Sequence, residues 1–359
     1  MLDIHYYYIT KYGIPIRNIW LLILYASEVY TASEDKFLDV EDNPEDLYTL
    51  VLELLCEQFE KNISKGLSCN YVNKNENLTR IRGSINFLTT ESKMLMQTGK
   101  VNCSFDELTL NIPRYQYVLM TFKNALFLKG IDQFKGRLLQ NISILQGLGV
   151  KDESKQTYDI HADRFGHFDY SEKVLVETCQ LLNELQIPAM HKGNYLLQDL
   201  AEMSEEWLRK LFEKAVYGFY LNNLTANLWS VSHNKKLQWK FELDSITSDI
   251  MPQMEADIIL KNKQTEHATI IDTKFNKILV RNRFGGEKYR NSYIYQIYAY
   301  LRSQEENGCR AFQRGMLLHP SVGEEIADKV KIQGYSLEFQ TIDLTATAKE
   351  IKTRLIELV

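Results

Sequence analysis

The sequence predicts an α+β N-terminal half followed by an α/β half whose sheet is organised around one β-hairpin. Three observations carry that expectation. Two short apolar runs, Ala256–Leu260 and Ala268–Asp272, flank a polar turn at Lys261–His267, which is a hairpin pattern. A helical period precedes the hairpin, and a Tyr-rich helix and further strands follow it, in the order of an αβββαβ core. The first half instead mixes helical stretches with a central block of alternating polarity punctuated by Gly66, Gly83 and Gly99.

In chain order, Ile14-Pro15-Ile16-Arg17-Asn18 opens a helix through the apolar run Ile19–Ala26, with proline where a missing N–H costs nothing. A second helix follows Asn43-Pro44 and covers Leu47–Lys61. Leu67–Val72, Thr79–Phe87 and Val101–Phe105 alternate as strands, with a short helix at Glu91–Gln97. Tyr115–Leu128, Gly136–Gln146 and Tyr170–Leu185 carry helical periodicity. Pro188 and the polar Met190–Asn194 mark a boundary, giving domains of residues 1–190 and 191–359. The second half begins with a helix capped by Ser204 and running to Asn223. A strand near Leu237–Leu243, the hairpin, a basic loop at Lys277–Arg290, the Tyr-rich helix, strands Gly315–His319 and Ser336–Ile342, and a helix Ala346–Leu358 complete the chain.

Composition sets limits. A chain of 359 residues accommodates two domains, and 45% apolar with 25% charged residues is ordinary for a globular protein. The net charge of −5 does not advertise a nucleic-acid binder, so any affinity for a polyanion needs a local basic patch or a partner. Five cysteines without a C-x-x-C read as free thiols in a reducing, cytoplasmic compartment. Ile19–Ala26 is too short to span a bilayer, and no cleavage site follows it, so neither a membrane anchor nor a signal peptide is expected.

The hairpin carries the chemistry. Its centre falls between Gln264 and Thr265, so a regular register puts Asp257 opposite Asp272, with side chains roughly 5 Å apart. Like charges facing each other on a sheet repel, and a divalent cation between them removes the conflict. Lys274, two residues on, shares the face of Asp272. Two carboxylates and a lysine converging in this way suit metal-dependent phosphodiester hydrolysis, with Asp257, Asp272 and the Thr273 carbonyl as ligands for Mg²⁺. Gln296 and Tyr300 share one helix face beside it. Lys277, Arg281, Arg283, Lys288 and Arg290 concentrate just after the lysine and suit phosphate contact. His161 and His167 bracket Asp163 in a pattern that could suggest a metal site, but without cysteines or a further ligand at useful spacing they read as loop residues. No G-x-x-x-x-G-K-[ST] occurs, so nucleotide chemistry belongs to a partner.

The spacing Asp257…Asp272-Thr273-Lys274 resembles the PD-(D/E)xK motif, and Gln296-x-x-x-Tyr300 resembles the accompanying element of its RecB-like branch. The resemblance implies a restriction-endonuclease-like fold for the second half, and some of these nucleases place a third acid on the preceding helix, here Glu213. Over most of its length the chain is similar to the McrC family. IPIRNIWLLILYA, RIRGSINF, CSFDEL, MEADIILKNK…IIDTKF, GGEKYRNSYIYQIYAYL and GMLLHP carry that likeness. It implies a DNA-cleaving subunit whose N-terminal half, including a strand-built projection around Arg82 and Gly83, docks on an AAA+ GTPase of the McrB type and stimulates GTP hydrolysis by that partner. One departure stands out: an Asn-Arg pair usual after the D-E-L block is here Asn111-Ile112-Pro113-Arg114-Tyr115-Gln116. A stand-alone RecB-like repair nuclease is the competing reading, disfavoured by the long N-terminal half. A GTPase activator without catalysis is disfavoured by the intact Asp–Asp–Lys set.

Overall fold

The computed structural model describes residues 10–32, 47–128, 130–152, 158–160, 162–166, 169–189, 204–239, 252–281, 285–305 and 311–359. Helices α1 (Ile16–Ala26) and α2 (Glu28–Ala32) lead into α3 (Leu47–Lys65). Strands β1 (Asn70–Leu78) and β2 (Ser84–Ile85), helix α4 (Phe87–Ser92) and strand β3 (Val101–Thr109) come next. Helices α5 (Pro113–Ala125), α6 (Lys135–Gly147), α7 (Tyr170–Ala189) and α8 (Glu205–Asn223) follow. Then come β4 (Trp229–Leu237), β5 (Met254–Asn262), β6 (Ala268–Thr273), β7 (Leu279–Arg281), β8 (Glu287–Tyr289) and α9 (Asn291–Ser303). The chain closes with β9 (Phe312–Ser321), β10 (Ala327–Ile332), β11 (Tyr335–Asp343) and α10 (Ala348–Glu357).

Two compact units result, one of residues 49–183 and one combining residues 1–48 with 184–359. The division therefore departs from a cut at residue 190. Helix α7 continues through Pro188, and the amino-terminal helix joins the carboxy-terminal unit. The reason lies in packing: α1 buries Ile19, Leu21, Leu22, Ile23 and Leu24, and it lies against α8. Asn18 donates from Nδ2 to the carbonyls of Leu344 and Ala346 at 2.8 and 2.9 Å, tying the first helix to the loop before the last one.

The larger unit holds a six-stranded sheet in the order β10-β11-β9-β6-β5-β4. Pairs β6–β9 and β9–β11 are parallel and the other three antiparallel. A parallel neighbour needs a crossover, and α9 supplies it between β6 and β9. Its Ile297, Tyr300 and Leu301 pack on Ile259, Ile270, Leu317 and Leu337 of the sheet. Helix α8 starts where Ser204 accepts a hydrogen bond from the Trp207 N–H, as its cap position predicts. The hairpin turn is set by Asn262, whose Oδ1 accepts from the backbone of Gln264 and Thr265.

Several expected elements shift. The strand expected at Leu237–Leu243 lies earlier, at Trp229–Leu237, and residues 240–243 are outside those described. The expected strand Thr79–Phe87 reduces to Ser84–Ile85, because Asn86 caps a helix beginning at Phe87. Strand β10 was not anticipated. The basic stretch expected as a loop contains an antiparallel ribbon, β7 with β8.

The smaller unit packs α3, α5 and α7 around Phe59 and Phe122, whose rings meet edge to face at 5.1 Å, and carries the three-stranded sheet β1-β3-β2. Two buried charges meet in it, Arg114 at the start of α5 and Glu172 on α7. Arg114 donates to both oxygens of Asp163 at 2.9 and 3.1 Å and to Glu172 Oε2 at 2.6 Å. Ser68 and Tyr115 complete the pocket around Glu172. The departure at Asn111–Gln116 thus places an arginine where it joins α5 to Asp163 and to Glu172 of α7. Asn111 accepts from the Gln116 side chain and from the Lys151 backbone.

Candidate active site at the β5–β6 hairpin

The ladder pairs Ile258 with Ile271 and Ile259 with Ile270, and the same frame carried one residue further brings Asp257 opposite Asp272. The register read from the turn is the one adopted. Regular pairing ends there, because Asp257 Oδ2 accepts from the Thr273 N–H at 2.7 Å and from its hydroxyl at 2.9 Å. Asp272 is 1% exposed. Lys274 Nζ lies 2.6 Å from Asp272 Oδ2, a charge-assisted contact.

The electrostatics follow from this crowding. Burial raises Asp272 to about 7, against the pull of the Lys274 charge and with the push of Asp257. Burial also raises Asp257, opposed by the Thr273 N–H and reinforced by Glu213. For Lys274 burial is the largest effect and works downward, but the charge and hydrogen bond of Asp272, with the charges of Asp257 and Tyr293, together raise the amine. The donor set fits a hard divalent cation: two carboxylates on adjoining strands, Asp272 1% exposed, with the charge of Asp257 pushing Asp272 upward. Among the described residues no three of His, Cys, Asp and Glu are already grouped closely enough to hold a metal ion. Glu213 is in electrostatic reach of both aspartates. Its Oε1, however, is 2.9 Å from Nε2 of His233 on β4.

Gln296 Nε2 donates to Tyr300 Oη at 2.8 Å, the pairing that four-residue helical spacing predicts. Burial raises the Tyr300 phenol, with the Asp272 charge adding to it, so the pair borders the cluster. Three further residues belong here that the motif did not reveal. The Tyr293 ring lies 5.3 Å from Lys274 Nζ, and its hydroxyl accepts from Asn276 Nδ2 at 2.7 Å. His319 is buried, donates from Nδ1 to the Asn276 carbonyl at 2.9 Å, and is lowered by burial to about 4, hence neutral. Each has a signal in hindsight. Asn276 repeats the two-residue step from Lys274, and Tyr293 is three residues before Gln296 on its helix. His319 follows Leu318, the parallel partner of Thr273.

Of the basic residues, Lys277, Arg281, Lys288 and Arg290 are exposed, and Arg283 is outside the described residues. Arg281 stands opposite Glu287 in the ribbon. The Arg290 guanidinium lies 5.8 Å from the Tyr293 ring. His161 and His167 are also outside the described residues, while Asp163 is committed to Arg114.

In the smaller unit, Gly83 has φ +68°, and a Cβ there would meet the Ser104 carbonyl at 2.3 Å. Backbone geometry therefore accounts for the glycine. The Arg82 guanidinium lies 4.1 Å over the Phe105 ring and reaches Glu107 at 3.1 Å. Around this sheet Tyr71, Ile81, Phe87, Leu88, Met94 and Met96 are exposed, more apolar side chains than isolated surface residues account for. No helix among the described residues is long and apolar enough to cross a membrane.

A mixed sheet carrying an acid–acid–lysine cluster on its central hairpin, joined to a separate α+β unit, is the class this chain presents. Residues 9–320 match the family described as the McrBC 5-methylcytosine restriction system component, and the chain belongs to that family. It is 25% identical over 351 residues to the type IV methyl-directed restriction enzyme EcoKMcrBC of Escherichia coli strain K12, covering 92% of this chain and 93% of that one. Among solved structures, an assembly of Thermococcus gammatolerans McrB AAA+ hexamers with bound McrC aligns at 12% identity and a TM-score of 0.43, covering 96% of this chain and 76% of that chain. The Thermococcus gammatolerans McrBC complex aligns at 14% identity and a TM-score of 0.36, over 59% of each chain.

Proposed function

We propose that this chain is the DNA-cleaving subunit of a McrBC-type restriction system, and that it stimulates the GTPase of an AAA+ partner of the McrB type. One observation carries the catalytic half: Asp257 and Asp272 lie on adjoining strands one step beyond the Ile258–Ile271 pair, with Lys274 on Asp272. Asp257, Asp272 and the Thr273 carbonyl would hold Mg²⁺, with Glu213 as a further acid. The bound ion supplies Lewis-acid polarisation of a phosphoryl oxygen and a water of lowered pKa. Lys274 orients the nucleophile and offsets the charge that develops on the phosphate as water attacks in line, leaving a 5′-phosphate. Tyr293 and Asp272 fix the lysine from two sides. Gln296 and Tyr300 order the adjoining helix face. Lys277, Arg281, Lys288 and Arg290 contact backbone phosphates.

Family membership supports the partner half, together with the absence of a P-loop sequence in the chain. The exposed apolar side chains around Arg82 and Gly83 suit the docking surface. The test is cleavage of modified and unmodified DNA with and without the partner, GTP and Mg²⁺. Asp272→Ala or Lys274→Ala abolishes cleavage and leaves partner binding and GTPase stimulation near wild type. Loss of both activities in a folded variant counts against separate roles for the two units, and full cleavage in excess chelator rules out the metal site.

A further inference from the structure

His233 lies outside every motif that the nuclease reading uses, yet three contacts converge on it. Its Nε2 is 2.9 Å from Glu213 Oε1. A carboxylate only accepts, so Nε2 carries the proton and donates. The imidazole lies flat on the Tyr217 ring, with centroids 4.6 Å apart and planes 16° from parallel. Glu213 and Tyr217 are one turn apart on α8, so a single helix face supplies both the acceptor and the platform. In the β4–β5 ladder His233 pairs with Ile258, and pairing resumes at Lys235 with Ala256. Asn234, at φ +49°, therefore occupies the position across from Asp257. His233 is thus one ladder position from the residue across from Asp257.

We propose that His233 is a positioning residue for the metal-binding cluster, holding Glu213 through its Nε2–H so that the glutamate stands ready beside Asp257 and Asp272 as the third acid. The inference rests on the metal-dependent reading of the hairpin. The charge of Glu213 is felt at both aspartates, as that placement requires. The stacked ring and the hydrogen bond fix a side chain that would otherwise sample several rotamers, and residues that orient a metal ligand in this way contribute strongly to affinity.

The test is Mn²⁺ binding to the full chain, followed by the loss of the free-ion paramagnetic resonance signal, together with the Mn²⁺ concentration for half-maximal cleavage by the complex with its partner. His233→Ala weakens both about tenfold or more. His233→Gln, whose amide places a donor near the same point, recovers most of that loss. Metal-free thermal unfolding of each variant shows that the fold is retained. Asp272→Ala serves as the reference for the site itself. If His233→Ala binds Mn²⁺ as wild type does while Asp272→Ala does not, the positioning role is wrong and the metal site stands. If the glutamine variant is as defective as alanine, the Nε2 donor is not what matters and the proposal falls. If Asp272→Ala binds Mn²⁺ normally, the metal-site reading and this inference fail together.

Discussion

Asp272 is a carboxyl that burial and a neighbouring acid keep near neutrality while Lys274 draws it the other way. Its folded-state pKa, about 7, is above the ordinary aspartate value, so its favourable contribution is full below that ordinary value and is lost as pH rises through about 7. In metal-free protein the unfolding midpoint of wild type, measured against Asp272→Asn, therefore falls between pH 5 and pH 8. Mg²⁺ reverses the fall at pH 8, where the carboxylate is ionised. A difference that is flat with pH would mean that Asp272 titrates normally. Arg114 poses the opposite problem. It is a buried cation matched by Asp163 and Glu172, and Arg114→Met leaves Glu172 buried without its counter-ion. Denaturant unfolding of that variant shows a loss of about 3–5 kcal/mol, the range for breaking one partner of a buried pair.

At the scale of elements, the hairpin and the helix contact behind it decide whether the cluster exists. The hairpin was legible because strand register has a period of two and the turn residues fix its centre. The contact between α1 and α8 was not legible, because it joins segments about 190 residues apart. It depends on Gly218, where a Cβ would stand 1.9 Å from the Tyr25 carbonyl oxygen. Gly218→Ala forces the helices apart and lowers stability by about 1–3 kcal/mol, as overpacking does, read from the denaturant midpoint. An unchanged midpoint would show that the two helices can separate freely. The shortened β2 has a local cause too: Asn86 accepts from the Thr89 N–H, and this cap wins over the alternation that suggested a longer strand.

For the whole molecule, the balance of charge sets what the chain does alone. The net charge is −5, and of the basic group after Lys274 one member, Arg281, faces a glutamate. Phosphate neutralisation dominates affinity for DNA, so the isolated chain binds with a dissociation constant of roughly 10⁻⁴–10⁻⁶ M at physiological salt and little site preference. A fluorescence-anisotropy titration without partner checks this, and nanomolar, site-selective binding would favour a self-sufficient nuclease. The unit composition adds a second expectation. A fragment of residues 191–359 lacks α1, whose apolar residues and Asn18 bonds belong to that unit, so it is not independently stable. Circular dichroism on the fragment, with the full chain as reference, tests that.

The sequence by itself determined the local features: the hairpin register, the Asp257–Asp272–Lys274 order, the Ser204 cap and the Gln296–Tyr300 pairing. All of these depend on spacings of a few residues, and strand and helix periods convert such spacings directly into geometry. Tertiary structure alone decided the rest. His233 reaches Glu213 only because β4 runs beside α8, and His319 reaches the Asn276 carbonyl only because β9 lies parallel to β6. Likewise α1 belongs to the carboxy-terminal unit only because the chain returns to it. These contacts join residues that no period connects, and burial, which raises Asp272 and lowers His319, is a property of the assembled core rather than of any stretch of chain.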